Sequence, residues 1–145
     1  AANLPAGRLE LEITETVLLQ DDRTVLELLH QIRALGVRIS MDDFGTGYSS
    51  LGYLRSFPFD KIKIDRSFIM ELGKKEDCLA IVRAVTQLGA DIGMVTVAEG
   101  VETEEQLDVL RVEGCNQAQG YLFSQPRPIS EIPQLLRAFN ARAAA

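Results

Sequence analysis

Two periods of apolar residues alternate along this chain. From Arg8 to Ile13, Leu9, Leu11 and Ile13 fall on one face and Glu10 and Glu12 on the other, which predicts a short strand. Val25, Leu28, Leu29, Ile32 and Leu35 then recur at helical spacing, with Gly36 placed to end that helix. Val37 to Asp42 predicts the next strand, and Ser49 or Ser50 can cap a short helix reaching Arg55, before Pro58 breaks regular structure. Lys61 to Asp65 alternates again, with Ile62 and Ile64 opposite Lys61, Lys63 and Asp65. Glu76 to Gly89 predicts a helix with Cys78, Val82, Val85 and Leu88 as its apolar stripe, and Met94 to Ala98 a nearly continuous apolar strand ending at Glu99-Gly100. Thr103 caps a helix over Glu104 to Glu113, where Glu105 and Gln106 bracket the capping-box position. Ala118 to Phe123 predicts a last strand and Pro126 and Pro128 a rigid turn. Ser130 to Arg142 predicts a closing helix carrying Ile132, Leu135, Leu136 and Phe139, after which Ala143 to Ala145 fray.

About five strands alternating with about five helices is the α/β pattern of a parallel sheet covered by helices. A full eight-stranded barrel needs roughly 200 to 250 residues, so the 145 residues here supply part of a barrel or a smaller open sheet. Few residues precede the first strand, which already carries Glu12, and the N-terminus reads as cut from a longer domain.

Composition narrows the partners. A net charge of −6 argues against a nucleic-acid backbone, so neither DNA nor RNA is expected. It leaves room for a small anionic substrate, because bound divalent ions reverse the local field. Cys78 and Cys115 have neither CxxC spacing nor neighbouring histidines, which excludes a disulfide framework or zinc knuckle, and His30 reads as a surface or core-edge residue of a helix. With no signal peptide and no apolar run of spanning length, a cytoplasmic domain is expected, one that a membrane segment elsewhere in a longer protein can tether.

The candidate chemistry centres on Met41-Asp42-Asp43-Phe44-Gly45-Thr46-Gly47, where paired carboxylates end an apolar strand and a glycine-rich turn follows. Asp-Asp before glycine is also a common solvated turn. An acid at a strand end recurs, however, at Glu12, Asp65 and Glu99, at the edge where parallel α/β proteins place metal and phosphate chemistry. Lys63, amid Asp42 and Asp65, is either a phosphate-contacting lysine or a structural ion pair.

Five segments carry a resemblance: Leu11 to Glu15, Asp42 to Leu51, Asp60 to Asp65, Ala98 to Glu102, and Gln119-Gly120-Tyr121. In this order they resemble the motifs of the EAL domain family, cyclic di-GMP phosphodiesterases with a modified TIM barrel. The resemblance implies the C-terminal part of a TIM-like (β/α)8 barrel, about five βα units, with residues 1–145 a partial EAL domain. It further implies two Mg²⁺ or Mn²⁺ ions, Glu12 on the first, Asp42 bridging both and Asp43 on the second. Glu99 resembles the carboxylate assigned to the second metal, with a general-base role as the competing one. Lys63 would contact the attacking water and the phosphate, Asp65 would orient Lys63, Glu102 would orient metal-bound groups, and Gln119 would contact water or substrate. Glu15 would anchor the loop after Asp43, whose backbone Gly45 and Gly47 free. Thr46, Tyr48, Ser49 and Ser50 complete a loop that the family uses to couple dimer contacts to metal binding. Pro126 and Pro128 resemble the turn closing the substrate side.

Two elements of the family pattern are not found in the sequence, the glutamate of its Glu-x-Leu motif and an asparagine, both ligands of the first metal. Asn116 stands where the family more often has aspartate. The expectation is therefore a chain that is oligomeric or poorly folded by itself and nearly inactive, with an exposed strand edge and an uncovered apolar barrel interior. The partners implied are cyclic di-GMP, a second copy in a homodimer or oligomer, and a fused sensory or diguanylate cyclase domain. The alternatives are a non-catalytic cyclic di-GMP-binding module, or an interaction module, on the same fold.

Overall fold

Parallel strands alternate with helices throughout the computed structural model, which describes residues 3–14, 23–46 and 51–143. Glu15, Gly47, Tyr48, Ser49 and Ser50 lie outside the described residues. The elements are β1 (Glu10–Thr14), α1 (Arg23–Ala34), β2 (Arg38–Phe44), α2 (Leu51–Ser56), β3 (Lys61–Ile64), α3 (Arg66–Met70), α4 (Glu76–Ile92), β4 (Val95–Ala98), α5 (Glu104–Val112), β5 (Gln117–Ala118) and α6 (Ile132–Ala143). Short 3-10 turns at Ala6–Arg8 and Ile129–Glu131 precede β1 and α6. The strands lie in the order β1-β2-β3-β4-β5, all neighbours parallel. An open doubly wound sheet reverses its strand order at a switch point, whereas a barrel adds each strand beside the last. The unreversed order makes this sheet an arc of a (β/α) barrel.

Alternation assigns the two faces. Ile39, Met41, Ile62, Ile64 and Ala98 point toward the helices and pack with Leu29, Leu54, Ile69, Val82, Val85 and Leu110 in one core. The opposite, inner face is mostly polar, with Val95 and Val97 as its apolar members: Glu10 pairs with Lys61 at 2.8 Å and Glu12 with Lys63 at 2.8 Å, around a buried Ser40. The expected apolar interior is thus corrected. Lysines and glutamates on adjacent strands satisfy one another there, and the apolar partners of the alternation are spent on the helix side. Leu28 and Leu136, placed on helix stripes by spacing, are exposed.

Several boundaries follow local chemistry. Helix α4 continues past Gly89 to Ile92 and ends at Gly93, which takes the left-handed conformation at φ 74°. Gly89 instead lets the helix approach β4, since a Cβ there would meet Thr96 Cγ2 at 2.6 Å. Thr103 and Gln106 form a reciprocal capping box on α5. Strand β5 is only Gln117–Ala118, against the longer strand expected to Phe123. The chain turns at Gly120, with Phe123 N–H donating to Gly120 O at 3.1 Å, because Gly120 packs directly on the Val101 backbone. Asn116 closes the start of β4, its Oδ1 accepting from Thr96 N at 2.8 Å and Thr96 Oγ1 at 3.1 Å.

Candidate metal centre

The paired aspartates share one face because β2 bulges at them. Met41 pairs with Ile62 and Phe44 with Ile64, so β2 spends one more residue than β3 over this stretch. Asp43 occupies the extra position at φ 55°, left-handed for a residue with a side chain, and its carbonyl accepts from both Thr46 N and Thr46 Oγ1. The bulge cancels the pleat alternation that would send adjacent carboxylates to opposite faces. Gly45 follows at φ 96° against the Phe68 ring, where a Cβ would lie 2.9 Å from Cε2.

The result is a cluster in which carboxylate oxygens of Asp42, Asp43 and Glu99 lie within 4.8 Å of one another. Lys63 borders it, its Nζ 2.8 Å from Glu12 Oε1, 2.8 Å from Asp42 Oδ1 and 2.7 Å from Glu99 Oε1. Its side chain is 6% exposed. Burial by itself would lower the ammonium, but contacts with Asp42, Glu12 and Glu99 outweigh it and hold Lys63 above the ordinary lysine value. Burial pushes the Glu99 carboxyl up, Lys63 pulls it down, and the charges of Asp42 and Glu12 push it up again; the net is above the ordinary carboxylate range. Gln119 Nε2 donates to Glu99 Oε1 at 2.7 Å.

The donor set fits a hard divalent cation. All three clustered residues offer oxygen, the preference of Mg²⁺, Mn²⁺ and Ca²⁺ rather than of softer metals. Asp42 Oδ1 is buried and has the Lys63 ammonium 2.8 Å away as its partner.

The remaining sequence candidates fall into three groups. Glu12 reaches the centre through Lys63, with its side chain half exposed at 51%. Glu102 and Gln119 line a cleft of about 660 Å³ beside Glu99, together with Arg66, Tyr121 and Arg127. Asp65 caps α3, accepting from the Ser67 backbone N–H and hydroxyl, so its carboxylate serves the helix start. A second cleft of about 600 Å³ lies at the opposite, N-terminal ends of β2 to β4. Its acid, Asp60, is already engaged by Ile39 N at 2.9 Å and Arg33 at 3.3 Å. Arg66 and Arg127 escape a sequence reading because arginines in turns and short helices carry no spacing signal.

The profile of the EAL domain matches residues 1–126. Cyclic di-GMP phosphodiesterase NbdA of Pseudomonas aeruginosa is 46% identical over 143 residues, covering 99% of this chain and 18% of that protein. The solved PaMucR phosphodiesterase in complex with c-di-GMP superposes with a TM-score of 0.85 at 47% identity, over 89% of this chain and 52% of that one. Klebsiella pneumoniae BlrP1 in a manganese and cy-diGMP complex superposes with a TM-score of 0.81 at 37% identity, over 86% of this chain and 32% of that one. The chain spans 16% to 22% of the length of curated relatives it matches. Among the described residues, no helix is long and apolar enough to cross a membrane. With its motif acids gathered at one edge of a barrel arc and its sequence matched along most of its length, this chain belongs to the EAL-domain family.

Proposed function

We propose that residues 1–145 supply the C-terminal part of a cyclic di-GMP phosphodiesterase domain that opens one phosphodiester bond to give linear pGpG. The observation that carries this reading is the clustering of Asp42, Asp43 and Glu99, two of which, Asp42 and Glu99, also pair with Lys63. Family relatives in manganese and cyclic di-GMP complexes support it. Asp42 would bridge two ions, Asp43 and Glu99 would hold one, and Glu12 the other. Two Mg²⁺ or Mn²⁺ ions, when bound, neutralise the attacked phosphate and make water a competent nucleophile at neutral pH.

The chain's own side chains position and orient. Lys63 keeps three carboxylates converged by its ammonium and is placed to donate to a phosphate oxygen. Gln119 and Lys63 both contact Glu99 Oε1, which among the described residues leaves Oε2 as the oxygen to face a ligand. Glu99 would act as a ligand rather than a general base, because a carboxylate fully engaged with a metal is a poor base. Glu102 and Gln119 border the cleft that would take the substrate, with Arg66 and Arg127 supplying positive charge to its anionic phosphates. Glu15, Gly45 and Gly47 would fix the loop after Asp43. We further place the domain in the cytoplasm of a longer signalling protein, as a homodimer and beside a sensory or diguanylate cyclase domain; the short share of the relatives' length supports the last.

The test is conversion of cyclic di-GMP to pGpG by the full-length protein with Mn²⁺ or Mg²⁺, resolved by anion-exchange chromatography. Turnover that Asp42→Asn abolishes is the expected result. Tight binding without turnover would instead establish the sensing module, and neither binding nor turnover would overturn the reading.

A further inference from the structure

Five residues, Glu99-Gly100-Val101-Glu102-Thr103, join β4 to α5, and the first four carry two of the site acids. Such a loop is useful to a metal centre only if it holds still. Its backbone is tied on three sides: Glu99 N–H donates to Ile64 O at 3.1 Å, Val101 N–H to Gln119 O at 3.1 Å, and Leu122 N–H to Val101 O at 3.0 Å. The fourth side is a single side chain. Gln106 Oε1 accepts from Glu102 N at 2.8 Å and Thr103 N at 3.1 Å, while its Nε2 donates to Ile69 O at 3.0 Å. A capping-box residue needs only the Thr103 contact. The reach to Glu102 and to a carbonyl on another helix exceeds that need.

The helix at the far end of this link is α3, and it also touches the rest of the site. Its Phe68 packs on Gly45 in the turn after Asp43, and its Arg66 packs on Gly100, where a Cβ would lie 2.6 Å from Arg66 Cβ. One five-residue helix therefore contacts both ligand loops, with Asp43 on one side and Glu99 on the other.

We propose that Gln106 is a positioning residue for the metal centre: it clamps the Glu99–Glu102 loop to α3, so that Glu99 is held in register with Asp42 and Asp43. The inference rests on the metal-centre reading above, but its backbone consequence does not require a bound ion.

The experiment compares Gln106→Met with Thr103→Ala in the full chain. Methionine keeps the length and removes the side-chain polar contacts of Gln106, leaving its backbone N–H on Thr103 Oγ1. Thr103→Ala removes the hydroxyl arm of the capping box and leaves the Gln106 links in place. In metal-free protein, amide hydrogen exchange at Glu99, Val101 and Glu102 is expected to speed up at least about tenfold in Gln106→Met, a loss of about 1.4 kcal/mol of local protection, and to stay within twofold in Thr103→Ala. Calorimetric Mn²⁺ titration is expected to show about tenfold weaker binding in Gln106→Met alone. Unchanged exchange at Glu99 and Val101 in Gln106→Met, or equal effects of the two variants, would overturn the proposal. Should the parent chain bind no Mn²⁺, the metal-centre reading fails on that result, and exchange still decides whether Gln106 clamps the loop.

Discussion

Replacing Lys63 with methionine tests the electrostatic balance of the centre. The ammonium is shared by three carboxylates at 2.7 to 2.8 Å, and its side chain is 6% exposed. Methionine fills much the same volume and leaves those acids facing one another. Removing one member of a buried charge group costs about 3 to 5 kcal/mol, because the remaining charge stays desolvated. Glu12, at 51% exposure, is screened by water and contributes little of this, whereas Asp42 and Glu99 at 20% and 16% are not screened to that degree. The lower end of the range applies, about 3 kcal/mol, which for a domain near this size lowers Tm by roughly 6 to 12 °C.

The pH dependence has a definite sign. Glu99 already titrates above the ordinary carboxylate range, so it favours the fold below the unfolded value and weakens it as pH rises through the folded value. Deleting Lys63 removes the influence that pulls Glu99 down and raises it further. The deficit of Lys63→Met should therefore be full at pH 7.5 and shrink toward about pH 4.5, near the ordinary glutamate value. Urea denaturation followed by circular dichroism in EDTA at both pH values measures it. A deficit below about 1 kcal/mol, or one equal at the two pH values, would refute the reasoning.

Other perturbations separate fold from site. Asp43→Gly relieves a left-handed side-chain conformation and should stabilise the metal-free chain by up to about 1 kcal/mol while weakening Mn²⁺ binding, as read by paired denaturation and calorimetry. Gly120→Ala places a Cβ 2.1 Å from Val101 O and 2.3 Å from Val101 N, backbone atoms that cannot swing aside. It should lower stability by about 3 kcal/mol, the upper part of the overpacking range, in the same denaturation assay. Asn116→Ala strips the acceptor from two Thr96 donors and should cost about 1 to 3 kcal/mol, with Asn116→Asp recovering most of it because it keeps the oxygen.

Sequence periodicity located β1 to β4 and the helices long enough to repeat, because α1, α4 and α6 show apolar stripes and α5 a recognisable cap, whereas the fifth strand was expected mostly beyond Ala118, where β5 ends. It did not show α3, whose five residues are too few for a period. The aromatic run Tyr121-Leu122-Phe123 has strand composition, yet the turn at Gly120 is set by contact with Val101, a partner distant in sequence. The acids at strand ends were legible as a set. Their grouping was not, since the bulge that brings Asp43 beside Asp42 comes from the pairing of β2 with β3. The lysine–glutamate pairs of the inner face were visible as alternation, but which face turns inward is decided only when helices cover the other. Gln106 carried a capping signal, and its reach to Ile69 depends on where α3 packs.

The central claim is that Asp42, Asp43 and Glu99 form a divalent-cation site. The most direct measurement is a Mn²⁺ titration of the chain followed by electron paramagnetic resonance, with Asp42→Asn alongside. The account predicts saturable binding that Asp42→Asn weakens at least about tenfold, the scale of losing a bridging charge from the ligand set. Binding of equal strength in both proteins, or none in the parent, would contradict it.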